Sequence, residues 1–75
     1  MTASLKLLVN GDRECDFRNS TSDDIVSDCY KLGLTVHIDD KERSVVYTID
    51  GDRKNIRLIK LRYSRRASVQ RETPN

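Results

Sequence analysis

Glycine, proline and aromatic rings are scarce in this 75-residue chain, which has three Gly, one Pro, three Tyr, one Phe and no Trp. The three glycines stand apart from one another, so no glycine-rich phosphate loop can form. No long apolar run is present either. The longest falls far short of a bilayer span, and the opening stretch MTASLKLLVNGD is too short in apolar residues for a secretory signal. A soluble, intracellular protein is the expectation. Cysteine is nearly absent: Cys15 and Cys29 are fourteen residues apart with no Cys-x-x-Cys or Cys/His spacing, so neither a zinc site nor a disulfide framework is indicated. Both are expected to be reduced core thiols.

There is one histidine, His37, and no motif ties it to a serine or cysteine, so no catalytic residue is assigned. The acids Asp39, Asp40, Glu42, Asp50 and Asp52 gather at turns, where Asp tolerates the backbone and caps nearby amides. They lack the ligand spacing of a calcium loop, so no metal and no cofactor are expected. Asn19-Ser20-Thr21 matches the glycosylation triplet, but capping explains these residues better in a chain read as intracellular.

What is present is a set of short aliphatic runs: Leu5, Leu7, Leu8 and Val9; Val45 and Val46; Ile56, Leu58, Ile59 and Leu61. They suffice for a folded domain, close to the lower size limit for a single core. Leu5 to Val9 reads as a strand, and Asn10-Gly11 is a hairpin signal. In residues 13–18 Cys15 and Phe17 alternate with charged residues, as in a second strand. The segment 19–24, NSTSDD, reads as a helix start, with the helix ending at Gly33 and Ile25, Val26, Cys29 and Leu32 on its inner face. Thr35 to Ile38 and 44–49 read as strands joined by a turn at 39–42, and Asp50-Gly51 as a second hairpin signal. A fifth strand is expected from 53 to about Tyr63. The expectation is an α+β domain over 1–63, a ββαβββ chain of hairpin, short helix and three-stranded antiparallel meander, compatible with a β-grasp arrangement or, alternatively, with an open antiparallel sheet of different strand order. Residues 64–75 are expected to be a basic, flexible tail.

LLVNGDRECDF, followed by an acid-started helix ending in KLGL, resembles the first half of the small ubiquitin-like sulfur carriers of the β-grasp type, over residues 5–34. Those carriers end in Gly-Gly, whereas this sequence ends RETPN, so the resemblance implies a topology and no activity.

Acid is the scarcest feature of residues 53–71, which hold eight Arg or Lys and no Asp or Glu. Residues 1–52 carry a net charge of −5 and residues 53–75 a net charge of +7. Read as a strand, the segment puts Lys54, Ile56, Leu58, Lys60 and Arg62 on one side, and Arg57, Ile59, Leu61 and Tyr63 on the other. Side chains two apart then lie about 6.6 Å from each other, so Lys60 and Arg62 would track successive phosphates and Tyr63 would offer a stacking surface. A charged last strand also protects a sheet edge from aggregation, and the acidic remainder can neutralise such charge internally.

The expected function is a non-enzymatic binding or regulatory module, of the kind a bacterium or phage would use. Its contacts with nucleic acid, or with the acidic surface of a nucleic-acid enzyme, would come from Lys54, Arg57, Lys60, Arg62, Arg65 and Arg66. The alternative is a ubiquitin-like adaptor that binds a protein partner through its sheet, with Ile56 and Leu58 exposed among the bases. Opposite charge poles favour self-association as a homodimer or head to tail. Arg65-Arg66-Ala67-Ser68-Val69 also resembles the site preferred by basophilic kinases, and phosphate on Ser68 would cancel much of the local charge.

Overall fold

Strict alternation makes residues 2–10 the central strand. In the computed structural model, which describes residues 1–74, β1 (Thr2–Asn10) buries Ala3, Leu5, Leu7 and Val9 and turns Thr2, Ser4, Lys6, Leu8 and Asn10 the other way. The chain then departs from the expected hairpin. Gly11 donates its N–H to the Arg43 carbonyl (3.0 Å), and an Asx turn follows, with Asp12 Oδ1 accepting from the Glu14 N–H (3.0 Å). Helix α1 (Asp16–Lys31) begins at once. Residues 13–18 satisfy an alternating pattern, but a second spacing wins: Arg18, Thr21, Ile25 and Cys29 lie three and four residues apart and form the buried side of the helix.

The helix stops as the sequence suggests. Gly33 has φ +69°, and the N–H groups of Gly33 and Leu34 donate to the carbonyls of Tyr30 (3.2 Å) and Cys29 (2.9 Å), which is the Schellman arrangement. Strands β2 (Thr35–Asp40) and β3 (Ser44–Asp52) form the one hairpin between consecutive strands, closed at Lys41, whose N–H donates to the Ser44 carbonyl (2.9 Å). Asp50-Gly51 makes no turn. Gly51 lies inside β3 opposite Ala3, and a Cβ there would meet Leu34 Cδ2 at 2.3 Å, so any larger residue would displace that methyl group.

The expected fifth strand is helix α2 (Arg53–Tyr63). Ile56, Ile59 and Tyr63, spaced by three and four, are its buried residues, and its Leu, Lys and Arg content favours a helix. The expected tail supplies a strand instead: β4 (Ser68–Pro74) pairs with β1. Its sequence gave no sign of this, because an edge strand is held by main-chain bonds and needs few apolar side chains. Asn75 lies outside the described residues.

The class is α+β, with one antiparallel sheet of order β2-β3-β1-β4. The order βαββαβ, with each crossing helix joining two strands separated by a third, is the ferredoxin-like split βαβ arrangement. It replaces the β-grasp expectation, since no hairpin precedes the first helix. Both helices pack on the face carrying Leu5, Leu7, Tyr47 and Ile49, where Ile25, Cys29, Ile56, Ile59 and Tyr63 complete the core. The other face of the sheet is left open.

Arg18 is 3% exposed. Its guanidinium donates to the carbonyls of Gly11 (2.7 Å) and Glu42 (3.2 Å) and pairs with Asp40. It therefore ties the loop before α1 to the β2–β3 turn, and is no outward strand residue. Tyr47 is fully buried, and burial raises its pKa, an effect that Ser22 tempers without completing a hydrogen bond. Among the described residues its hydroxyl is the only buried side-chain polar atom without a partner.

Two outcomes follow for stability. Tyr47→Phe removes an unsatisfied hydroxyl and is expected to leave stability unchanged or raise it by about 1 kcal/mol in urea unfolding; a loss of that size would mean that the hydroxyl is bonded. Deleting residues 68–75 exposes the edge of β1 and is expected to lower Tm by more than about 10 °C, which thermal circular dichroism measures directly.

Candidate functional site

Helical geometry redistributes the basic stretch. Lys60 and Arg62, adjacent on one side of a strand, are about 200° apart around a helix of 3.6 residues per turn, so they cannot follow one phosphate chain together. Tyr63 is 1% exposed and offers no stacking surface. Ile56, expected at the surface, is 1% exposed and belongs to the core. The outward residues of α2 are Arg53, Lys54, Arg57, Leu58, Leu61 and Arg62. Leu58 and Leu61 are 40% and 70% exposed.

Three of the six expected contact residues are held by acids of the same molecule. Lys60 Nζ lies 2.6 Å from Glu72 Oε1, Arg62 Nη1 3.0 Å from Asp28 Oδ2, and Arg66 Nη2 2.8 Å from Asp24 Oδ2. Arg66 also donates from Nε to the buried Thr21 Oγ1 (3.2 Å) and lies over the Tyr63 ring, 5.4 Å from its centroid. Such cation–π contact adds to the pair. The internal neutralisation that the sequence allowed is therefore partly realised, and it fastens α2 and the following turn to α1 on one side and β4 on the other.

Asp28 is the centre of this arrangement. Its Oδ2 accepts from both the Tyr63 hydroxyl and Arg62. The Tyr63 hydrogen bond, followed by Arg62, holds the Asp28 carboxyl below its ordinary pKa against the opposing effect of burial. Tyr63 moves the other way, raised first by burial and then by the adjacent carboxylate. Glu72 is lowered chiefly by its hydrogen bond with Lys60, with smaller contributions from Lys60, Arg57 and Arg53 charge.

The remaining expected residues, Lys54, Arg57 and Arg65, form no ion pair among the described residues, and neither does Arg53. Arg65 sits in the turn between α2 and β4. The other three occupy the start of α2, beside a shallow hollow of about 370 Å³ that Met1 and Asp52 also line. The first turn of α2 contains no acid, and its N-cap Asp52 makes no side-chain capping bond. Cations at that end oppose the helix dipole, so helix stability does not account for Arg53 and Lys54.

Burial pushes the Cys29 thiol up to about 11, which leaves it protonated at neutral pH. His37 is exposed on the open face of β2, in register with Thr48. Sequence reasoning passed over Lys6 and Arg71, which the register places side by side on the open face; pairing across strands carries that information, and no local pattern does.

No family model, curated protein or solved structure matches this chain, so a functional reading rests on the disposition of its own side chains.

The Asp28 cluster makes a prediction of its own. A carboxylate held below its ordinary pKa stabilises the fold above the ordinary carboxylate range, and that stabilisation is lost as pH falls through the lowered value. Asp28→Asn is expected to cost about 1–2 kcal/mol at pH 7 and to flatten the acid limb of the Tm–pH profile below about pH 4. An unchanged acid limb would remove Asp28 from the account.

Proposed function

We propose that this protein is a non-enzymatic binding module that docks on the phosphate backbone of nucleic acid through the start of α2. Lys54, Arg57 and the adjacent Arg53 are the contacts, with Arg65 assisting from the far end of the helix. One observation carries the reading: among the described residues these cations make none of the close ion pairs that Lys60, Arg62 and Arg66 make, and two of them stand where the helix dipole disfavours them. A backbone phosphate would relieve both the mutual repulsion and the dipole conflict. The sheet and α1 act as the rigid support.

A second reading has its own support. Leu58 and Leu61 are exposed between the cations on the same helix, and an apolar pair within a basic face suits the acidic surface of a protein partner. The two readings differ in their response to salt. Phosphate contacts release counterions, whereas an apolar contact hardly responds.

The experiment is fluorescence anisotropy with mixed-sequence single- and double-stranded DNA and RNA, using the full chain. If three phosphates are contacted, affinity for duplex DNA falls roughly 40-fold between about 50 and about 200 mM salt. Lys54→Glu is expected to weaken binding at least about tenfold while raising Tm by roughly 1–4 °C, because an acid then occupies the first turn of α2. Weaker binding from a more stable protein separates contact from unfolding. No binding at low salt, or binding indifferent to Lys54→Glu, contradicts the nucleic-acid reading.

A further inference from the structure

The open face of the sheet carries a second concentration of charge, distant in sequence from α2. Across its middle runs one row of side chains: His37 opposite Thr48, Thr48 opposite Lys6, and Lys6 opposite Arg71. Lys6 and Arg71 are therefore direct neighbours on adjacent strands. Like charges in that position destabilise a sheet, and paired residues of antiparallel strands stand only about 4.5–5.5 Å apart at Cα. Neither has an ion pair among the described residues. Asp50 shares the face one row away, opposite Ser4 and Thr35, and makes no ion pair with Lys6.

A local irregularity creates the juxtaposition. Leu8 pairs with Ser68 and Leu7 with Val69, but the register then shifts so that Lys6 pairs with Arg71 and Leu5 with Glu72, leaving Gln70 as an extra residue. Regular pairing would have set Arg71 opposite Leu5 on the helix side and Glu72 opposite Ser4 on the open face. A one-residue slip exchanges the two faces of a strand, and bulges commonly re-aim a side chain in this way. The bulge thus removes an acid from the open face and delivers a second cation beside Lys6 in its place. Edge protection explains a charge on β4. It does not explain Lys6, which lies on the central strand.

Three hydroxyl-bearing residues complete the surroundings. Ser4, Thr48 and Thr73 line, with Lys6 and Arg71, a shallow depression of about 270 Å³. Two cations and three hydroxyls offer more donors than a carboxylate can accept, and they match a tetrahedral oxyanion. We infer that the open face holds a phosphate-binding site formed by Lys6 and Arg71, with Ser4, Thr48 and Thr73 as hydroxyl donors. This site stands apart from the α2 surface and does not depend on its reading. The phosphate is either a free or monoester phosphate, or a diester of a nucleic-acid strand.

The test is amide NMR on the full chain, titrated at constant ionic strength with inorganic phosphate in exchange for chloride, and separately with a short single-stranded oligonucleotide. Saturable shifts are expected at Ser4, Lys6, Thr48, Arg71 and Thr73. Shifts with inorganic phosphate identify a free or monoester phosphate as sufficient, and shifts with the oligonucleotide alone identify a diester. Lys6→Gln and Arg71→Gln are each expected to weaken this binding at least about tenfold with Tm unchanged or raised, since each removes a like-charge contact. The double variant Lys54→Gln/Arg57→Gln is expected to leave these shifts intact, so failure of the α2 reading and failure of this one are distinguishable. The inference is overturned if neither ligand moves the five amides, or if Lys6→Gln and Arg71→Gln leave their shifts unchanged.

Discussion

The fold hangs on the hydrogen-bonded insertion of β1 between β3 and β4. Four of its side chains, Ala3, Leu5, Leu7 and Val9, are almost completely buried, and both of its edges are paired. That position requires a partner on the far side of β1 from β3, and the chain supplies it from its last residues. Once Ser68–Pro74 are committed to the sheet, the preceding basic segment must cross back over the core to deliver them. A helix spans that crossing while placing Ile56, Ile59 and Tyr63 against the strands. The conformation of the basic segment is thus a consequence of the sheet's connectivity as much as of its own residues.

Charge follows from the same constraint. With α2 lying beside α1 and β4, Arg62 meets Asp28, Arg66 meets Asp24 and Lys60 meets Glu72. Exposed pairs of this kind each contribute little. The Asp28 site differs because a half-buried carboxylate also accepts from the buried Tyr63. The bulge in β4 sorts the rest, turning Glu72 toward Lys60 and Arg71 toward Lys6. What emerges is a division between cations that brace the fold and cations that form no ion pair among the described residues, the latter on the start of α2 and on the open face.

Much of this was readable in the sequence, for specific reasons. The alternation in β1, the stop at Gly33 and the β2–β3 hairpin are local signals strong enough to survive in the fold. Residues 13–18 were ambiguous because Cys15 and Phe17 alternate with charged residues while the helical spacing runs through Arg18 and Thr21 to Ile25 and Cys29; residues 53–63 were ambiguous because their apolar residues satisfy both a two-residue and a three-to-four-residue spacing, and tertiary context selected the helix. Asx-Gly pairs at 10–11 and 50–51 marked unusual backbone correctly but not hairpins: Gly11 starts a loop and Gly51 admits Leu34. The edge strand was illegible because its stabilisation is main-chain pairing. Of the candidate site, the basic segment could be found by composition, but its division into paired and unpaired cations depends on contacts between separate elements, from Lys60 with Glu72, twelve residues on, to Arg62 with Asp28, thirty-four residues back.

That division is tested most directly by NMR of the arginine guanidinium N–H groups, Nε and Nη, with and without a single-stranded oligonucleotide. Arg62 and Arg66 are expected to show slow solvent exchange and no response to the oligonucleotide, while Arg53 and Arg57 exchange rapidly when free and shift on binding. Uniform exchange across all four, or shifts centred on Arg62 and Arg66, would contradict the account.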